Sequence, residues 1–389
     1  MVNRTLYCGS PAVAATEWFR RAGSPVAVSR DWPQFRDRQV IATYRGRTAI
    51  ALACRLLGIG AGDEVLVPAY NCGSEIDPLL HLGASLAGYN VTREGAVDFK
   101  DLAARKTSRT KAVYVIHYFG WEQPMADLRK WCDQHGVMLI EDCALSLFSE
   151  GQTGAIGQVS DAAIFSLPKT LGFHHGGLLS LSKSHEVKVL ALEPPPADTF
   201  RREIRTSVRA AAFRALESVG LYGAALSAKQ SLGRKPSTTD DGSFPPMPDS
   251  YYFDPARHEN RSMHPQALLA AGGADWEKIR EARRNNYVRL AQALGGVGRV
   301  KPLFPKLPER VCPLSLPLVV GDRDRFVEAL LRRGIGAYPW WAGYHQKSLS
   351  WSHFPDACWL KNNVVTLPIH QQLNGRHLSY ISEIVAQFA

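Results

Sequence analysis

Residues 48–68 read TAIALACRLLGIGAGDEVLVP. Thr48 to Leu57 carries apolar residues at helical spacing and stops at Gly58. After a Gly-rich turn, Glu64 to Pro68 is a short apolar strand closed by proline. A helix followed this closely by a fully apolar strand is half of a βαβ unit, and the pattern continues outward. A helical stretch near Glu75 to Leu82 leads to a strand near Ala84 to Asn90, and Ala112 to Phe119 is a longer buried strand. Ala126 to His135 reads as a helix ending at Gly136, and Val137 to Glu141, Ala162 to Leu167 and Gly177 to Leu181 as further strands. Strands separated by helices of about ten residues predict an α/β fold: a mostly parallel sheet between helices.

The 389-residue chain is 45% hydrophobic and 21% charged, which excludes a disordered, collagen-like or small disulfide-built protein. Its formal net charge of +10 suits an anionic ligand or surface without specifying the fold. Seven cysteines with no C-x-x-C pair point to a reducing compartment rather than a disulfide framework. The first residues are too poor in apolar side chains for a signal peptide, and no run is long enough to span a bilayer. A cytoplasmic enzyme is expected, and no metal site.

Three features of the sheet region carry chemistry. Arg45-Gly46-Arg47-Thr48-Ala49 stands directly ahead of a helix. Backbone N–H groups there can hold a phosphate with help from the helix dipole, and Thr48 can add its hydroxyl; taken alone, the same residues also make an ordinary helix cap. Glu141-Asp142 closes a strand, at the carboxyl end where parallel sheets bind ligands. An acid there suits a protonated ring nitrogen or a metal, and equally a solvated strand end. Lys169 follows Phe165-Ser166-Leu167-Pro168 and precedes Gly176-Gly177. A partly desolvated lysine in such a loop is a Schiff-base candidate, although most loop lysines are only solvated. A phosphate cradle, an acid for a pyridinium and an amine for an aldehyde are together the parts of a pyridoxal phosphate site.

The order of these segments resembles the DegT/StrS-type sugar aminotransferases, which are fold-type-I pyridoxal phosphate enzymes; the resemblance implies a large domain with a mostly parallel seven-stranded sheet between helices. The resemblance rests on Leu57-Gly58-Ile59-Gly60-Ala61-Gly62-Asp63-Glu64-Val65, on His117-Tyr118-Phe119-Gly120, and on His135-Gly136-Val137-Met138-Leu139-Ile140-Glu141-Asp142-Cys143-Ala144. It extends through Gly157 to Ser166, Arg333-Gly334-Ile335-Gly336 and Leu367-Pro368-Ile369-His370. It is close over about residues 44–182, loose over 258–389 and absent over about 190–257. The resemblance implies that Lys169 forms the Schiff base with pyridoxal 5'-phosphate and moves a proton between donor and cofactor, and that Asp142 pairs with the ring nitrogen. It implies Arg47, Thr48 and Ser166 as phosphate ligands. Asn260 and Arg261 would reach the cofactor of a neighbouring subunit, so a homodimer is expected. His117, His175 and Arg261 are candidates for contact with substrate.

Some positions depart from the family pattern. Leu145 stands where Gln or His is usual near the cofactor, and Cys72 where an aromatic stacks on the ring, with Tyr70 two residues earlier. Ser166 and Lys169 are two residues closer than usual, and His175 replaces an acid before the Gly-Gly. The expected activity is transfer of an amino group, from glutamate, to a keto-sugar nucleotide or related polyhydroxylated carbonyl compound in surface polysaccharide or secondary-metabolite biosynthesis. The alternative is a pyridoxal phosphate enzyme of the same fold acting on a non-sugar amine or keto acid.

The expected organisation is an N-terminal arm (1–43), a large cofactor domain (44–255) with a helical basic insertion at about 190–257, and a small C-terminal α+β domain (256–389). Arg234 to Pro248 reads as an exposed polar loop. Trp340-Trp341, with Tyr338 and Tyr344, reads as core or small-domain packing, the alternative being a platform for a sugar. Within the insertion, Phe200 to Ala228 reads as one or two amphipathic helices with Arg201, Arg205 and Arg209 on one face. That is either a packed helix with solvated arginines or a basic face for an anionic membrane or a polyphosphate. No nucleic-acid motif is present, so nucleic acid is not an expected partner.

Overall fold

The computed structural model describes residues 5–19, 32–185, 191–232, 247–298, 300–341, 343–346 and 353–388. Most of the 234–248 loop lies outside them.

In chain order, β1 (Gln39–Thr43), α1 (Gly46–Leu56), β2 (Glu64–Pro68), α2 (Asp77–His81), β3 (Ser85–Tyr89), α3 (Phe99–Arg105), β4 (Thr110–Ile116), α4 (Met125–His135) and β5 (Met138–Asp142) build the first half. A short hairpin, β6 (Glu150–Gly151) and β7 (Gly154–Ala155), precedes β8 (Ala162–Ser166), α5 (Leu167–Leu171) and β9 (Gly177–Leu181). The seven-stranded sheet has the order β1-β9-β8-β5-β4-β2-β3. Neighbours from β8 to β3 are parallel, and β9 is antiparallel to both β8 and β1. Central strands are buried on both faces, so β2 is apolar throughout its middle, with Val65, Leu66 and Val67 inaccessible. Each such side chain contributes roughly 1.5–3 kcal/mol.

The sequence reading misses β1 and α3. β1 is an edge strand of intermediate burial paired only with β9, and its five residues lack the full alternation that marks a half-buried strand. It lies in the segment read as an arm. Other described parts of that segment are core: Leu6 and Cys8 pack in one hydrophobic cluster and Trp18, Trp32 and Phe35 in another. The strand expected to run to Phe119 stops at Ile116, because Phe119 adopts φ 57° in a tight turn over Tyr118–Gly120.

The region after β9 is helical, with α6 (Thr199–Ser218) and α7 (Tyr222–Leu232). Then follow α8 (Pro255–His258), α9 (Pro265–Gly272) and α10 (Trp276–Ala293). The C-terminal part has a four-stranded antiparallel sheet in the order β10 (Lys301–Pro302), β11 (Leu316–Val319), β13 (Val364–Leu367), β12 (Tyr338–Pro339). It is packed by α11 (Arg323–Arg332), α12 (Pro355–Asn363) and α13 (Gly375–Phe388). Among the described residues no helix is long and apolar enough to cross a membrane.

Candidate active site

The carboxyl ends of the parallel strands open onto a cavity of about 610 Å3. Its wall includes Arg47, Cys72, Asp142, Leu145, Ser166 and Lys169, six of the residues singled out from the sequence.

Asp142 is the last residue of β5 and is nearly buried. Its two oxygens are held separately: Tyr114 donates its hydroxyl at 2.7 Å and the backbone N–H of Ala144 donates at 2.9 Å. Burial, and then the Asp142 charge, push the Tyr114 phenol well above its ordinary value, so it stays a donor. Lys169 sits in α5, a single helical turn starting just after Ser166 at the end of β8. The expected desolvation is not found. Lys169 is exposed, because the turn lifts it out of the sheet core into the open cavity.

The start of α1 forms another wall. No side chain caps it, and the Thr48 hydroxyl is buried without a hydrogen-bond partner among the described residues. The strands close tightly here. A Cβ on Gly177 would lie 2.3 Å from the Arg45 carbonyl, so only glycine lets β9 pass. The Arg47 side chain turns away from this end and donates to the carbonyls of Ser250 (3.1 Å) and Tyr252 (2.7 Å). Its contribution to an anion is therefore its backbone. Arg45 lies over the Tyr44 ring and donates to His174 at 3.5 Å. Burial and the Arg45 charge lower His174 to about 4, and burial with Arg47 and Arg45 lowers His258 to about 4. Both histidines are neutral at pH 7, which leaves the two arginines as the local cations.

Cys72 is tied to Glu75, which accepts from its backbone N–H (2.8 Å) and from its thiol (2.6 Å). Burial and the Glu75 charge push that thiol up to about 12, so it is a donor and not a nucleophile. Leu145 is buried.

The remaining candidates lie elsewhere. His117 is fully buried and donates from Nε2 to Glu141 at 2.8 Å, while its Nδ1 accepts from the Gln123 N–H at 3.1 Å. Glu141 also accepts backbone N–H groups of Gly157 and Ser160. Burial would raise its carboxyl, but the bonds from His117 and Ser160 hold it below its ordinary value. His117, Glu141 and Cys143 cluster as metal ligands would, yet each ring nitrogen and carboxylate oxygen of the pair is already used. His175 is locked between Glu203 and the N–H of His264. Asn260 accepts from Arg55 at 2.9 Å and Arg261 pairs with Glu193 at 2.8 Å, both outside the cavity wall.

The sequence reading also missed residues. Glu75 lines the cavity from the loop after β2, the carboxyl end of a parallel strand, and that position was its signal. Tyr114 is distant from Asp142 in sequence and becomes its neighbour only because β4 pairs with β5. Tyr251, Tyr338, Trp340 and Trp341 bring aromatic surface from the later part of the chain. Trp341 packs on Tyr70 and Tyr118, with centroids 5.2 and 5.6 Å away, so the tryptophan pair both packs and lines the cavity. Lys361, on α12, is fully buried and donates to the carbonyls of Asn71 (2.8 Å), Trp341 (2.5 Å) and Gly343 (2.6 Å).

Sheet order and helix layers define the fold-type-I architecture of pyridoxal-phosphate-dependent transferases. The cavity fits that cofactor: an uncapped helix start for a phosphate, an oriented carboxylate for a ring nitrogen, and an exposed amine, whereas Thr48, buried behind Gly46 and Arg47, is not part of the wall. Residues 30–191 match the model of the DegT/DnrJ/EryC1/StrS aminotransferase family. GDP-perosamine synthase of Vibrio cholerae is 32% identical over 137 residues, 34% of this chain and 37% of that one. The UDP-N-acetyl-3-dehydro-alpha-D-glucosamine 3-aminotransferase of Acidithiobacillus ferrooxidans is 31% identical over 146 residues, 37% of this chain and 40% of that one. The chain thus spans about two fifths of the length of the curated relatives it matches. The fold extends further. The structure of 3-amino-5-hydroxybenzoic acid synthase superposes with a TM-score of 0.65 at 20% identity, over 92% of this chain and 89% of that one.

Proposed function

We propose that the protein is a pyridoxal-phosphate-dependent aminotransferase that moves an amino group, from glutamate, to a keto-sugar nucleotide or related polyhydroxylated carbonyl compound. The observation that carries this reading is the meeting of Lys169, Asp142 and the uncapped start of α1 in one cavity. When bound, pyridoxal phosphate supplies an aldehyde that captures amines and a ring that takes up the electron pair left when a Cα–H bond breaks.

The chain's own residues do the rest. Backbone N–H groups at the start of α1, at Gly46 and Arg47, and Ser166 hold the phosphate. The fixed Asp142 carboxylate keeps a proton on the ring nitrogen, and Tyr114 keeps Asp142 in place. The Nζ of Lys169, exposed to the cavity, takes the proton from the donor carbon and returns it on the acceptor side. Arg45 supplies a cation for the donor carboxylate. Asn260 and Arg261, which lie outside the cavity wall, would contact the cofactor only of a partner subunit, in a homodimer. Seven free cysteines agree with work in the cytoplasm.

A second reading keeps the chemistry but replaces the sugar with a non-sugar amine or keto acid. Apolar Leu145 and the aromatic wall of Tyr338, Trp340 and Trp341 favour it. Incubation with pyridoxal phosphate, glutamate and separate panels of keto-sugar nucleotides and keto acids, followed by mass detection of aminated product, distinguishes the two. Lys169→Ala should give no product with either panel while keeping its circular dichroism. Turnover by this variant would remove Lys169 from the mechanism.

A further inference from the structure

We propose that the outward face of α6 and the α6–α7 corner seat on an anionic lipid surface. At 100° per residue, Arg201, Arg205, Val208, Arg209, Ala212 and Ala215 fall within a sector of about 120°. All six are exposed. Glu203, Ser207 and Ala210 are buried on the opposite side. The stripe runs the length of a 20-residue helix, about 30 Å at 1.5 Å per residue. Its first half is basic and its second half is apolar, ending in Val219 and Leu221.

Two features separate this face from an ordinary solvated one. The first is the sorting of charge. Both carboxylates of the hairpin turn inward. Glu203 accepts the backbone N–H groups of His174 (2.8 Å) and His175 (2.9 Å), and Glu217 accepts that of Tyr7 at 3.0 Å. Arg202 pairs with Asp198, but no carboxylate of the described residues pairs with Arg201, Arg205 or Arg209. Within α6 the outward face thus carries cations and no carboxylate, the N-cap Asp198 at its edge being paired with Arg202 and Arg257. The second is exposed hydrocarbon. Val219 (67%), Leu221 (55%) and Val208 (54%) are the three most exposed large apolar side chains among the described residues, and all belong to this hairpin.

A free polyanion or nucleic acid would be served by the arginines alone. Cations beside exposed hydrocarbon on one face match a bilayer interface, where guanidinium groups meet lipid phosphates and apolar side chains enter the acyl boundary. The hairpin is firmly mounted for this. Trp18 donates to Ser207 at 2.8 Å, and Tyr222 packs against Tyr7 and Phe213. Glu203 ties α6 to the loop between α5, which bears Lys169, and β9, so the docking face and the catalytic loop are directly joined.

The test is sedimentation of the full-length, cofactor-loaded protein with vesicles of phosphatidylcholine, alone or with 30% phosphatidylglycerol. Wild type should bind the anionic vesicles and not the neutral ones, and binding should weaken as salt is raised. Arg201→Gln/Arg205→Gln/Arg209→Gln should lose affinity on the order of a hundredfold, at a factor of roughly five per arginine. Val208→Ser/Val219→Ser/Leu221→Ser should also weaken it, with cofactor absorbance and circular dichroism of both variants unchanged. Equal binding by the arginine variant would overturn the proposal, as would failure of wild type to bind. Undiminished binding by the apolar variant would show that charge alone acts and would overturn the seating. A change of oligomeric state in either variant by light scattering would make the face a contact between copies of this chain. A raised KM for a nucleotide sugar with vesicle binding intact would assign the arginines to substrate.

Discussion

Lys361→Met tests how the wall of the cavity is held. Nζ of Lys361 joins the carbonyl of Asn71, beside Cys72, to those of Trp341 and Gly343. Trp341 has φ 54°, a backbone state that a bulky residue keeps only when its surroundings hold it. Burial lowers the ammonium from 10.5 to about 7, with the Cys72 and Glu75 charges acting the other way. Between about pH 7 and 10.5 the unfolded chain keeps a proton that the folded chain releases, so stability rises with pH across that window. The full shift is on the order of 5 kcal/mol, and the gain from pH 7 to pH 9 is about 2 kcal/mol. At pH 7 the variant loses three hydrogen bonds, each worth roughly 1–3 kcal/mol when a buried carbonyl is left unpaired, but it also loses the cost of a buried charge. These offset each other, so the pH slope and not the sign of the stability change is diagnostic. Urea unfolding followed by circular dichroism at pH 7 and pH 9 should show the gain in wild type and lack it in Lys361→Met, other groups cancelling in the difference. The variant should also raise KM more than it lowers kcat, because it loosens a wall and not the reacting groups. Equal slopes in the two proteins would refute this account of Lys361.

Other substitutions separate catalysis from framework. Tyr114→Phe leaves Asp142, among the described residues, the Ala144 N–H alone and should lower kcat about tenfold, as expected for a charge-assisted hydrogen bond of roughly 1.5 kcal/mol. An unchanged rate would mean that Asp142 is held without it. His117→Leu takes one partner from the buried Glu141 carboxylate, which keeps the Gly157 and Ser160 N–H groups, and should cost roughly 1–3 kcal/mol of stability, read from denaturant midpoints. Loss of activity with full stability would instead return His117 to the site. Glu203→Gln keeps acceptance of one backbone N–H but loses the anion between His174 and His175. It should raise protease cleavage in the 172–176 loop, and unaltered cleavage kinetics would show that other contacts hold that loop.

Much of the large sheet was legible because its strands are buried on both faces and read as short apolar runs bounded by glycine, as in Glu64–Pro68 and Gly177–Leu181. Asp142 and Lys169 were legible as well, since parallel strands present ligands at their carboxyl ends whatever the fold's details. β1 was not, because an edge strand carries a weaker apolar pattern and is specified by the neighbour it pairs with. Likewise, no spacing rule links Tyr114 to Asp142, or Glu203 to His175. Those contacts come from strand pairing and from where α6 settles. His117 shows the opposite failure. It follows directly on a strand, where a ligand contact is expected, but the chain turns at Phe119 and buries it against Glu141. Lys361 illustrates the same limit. The sequence reading assigns no element to Pro355–Asn363, and only the packing of α12 beneath the Trp341 turn puts the Lys361 ammonium among three carbonyls. The sequence by itself determined the strands, the helix start and the acid and amine they carry, because burial and backbone geometry are written locally. Which side chains orient that acid, which face of α6 meets solvent and what closes the cavity were decided by tertiary packing, because they depend on residues tens to hundreds of positions apart.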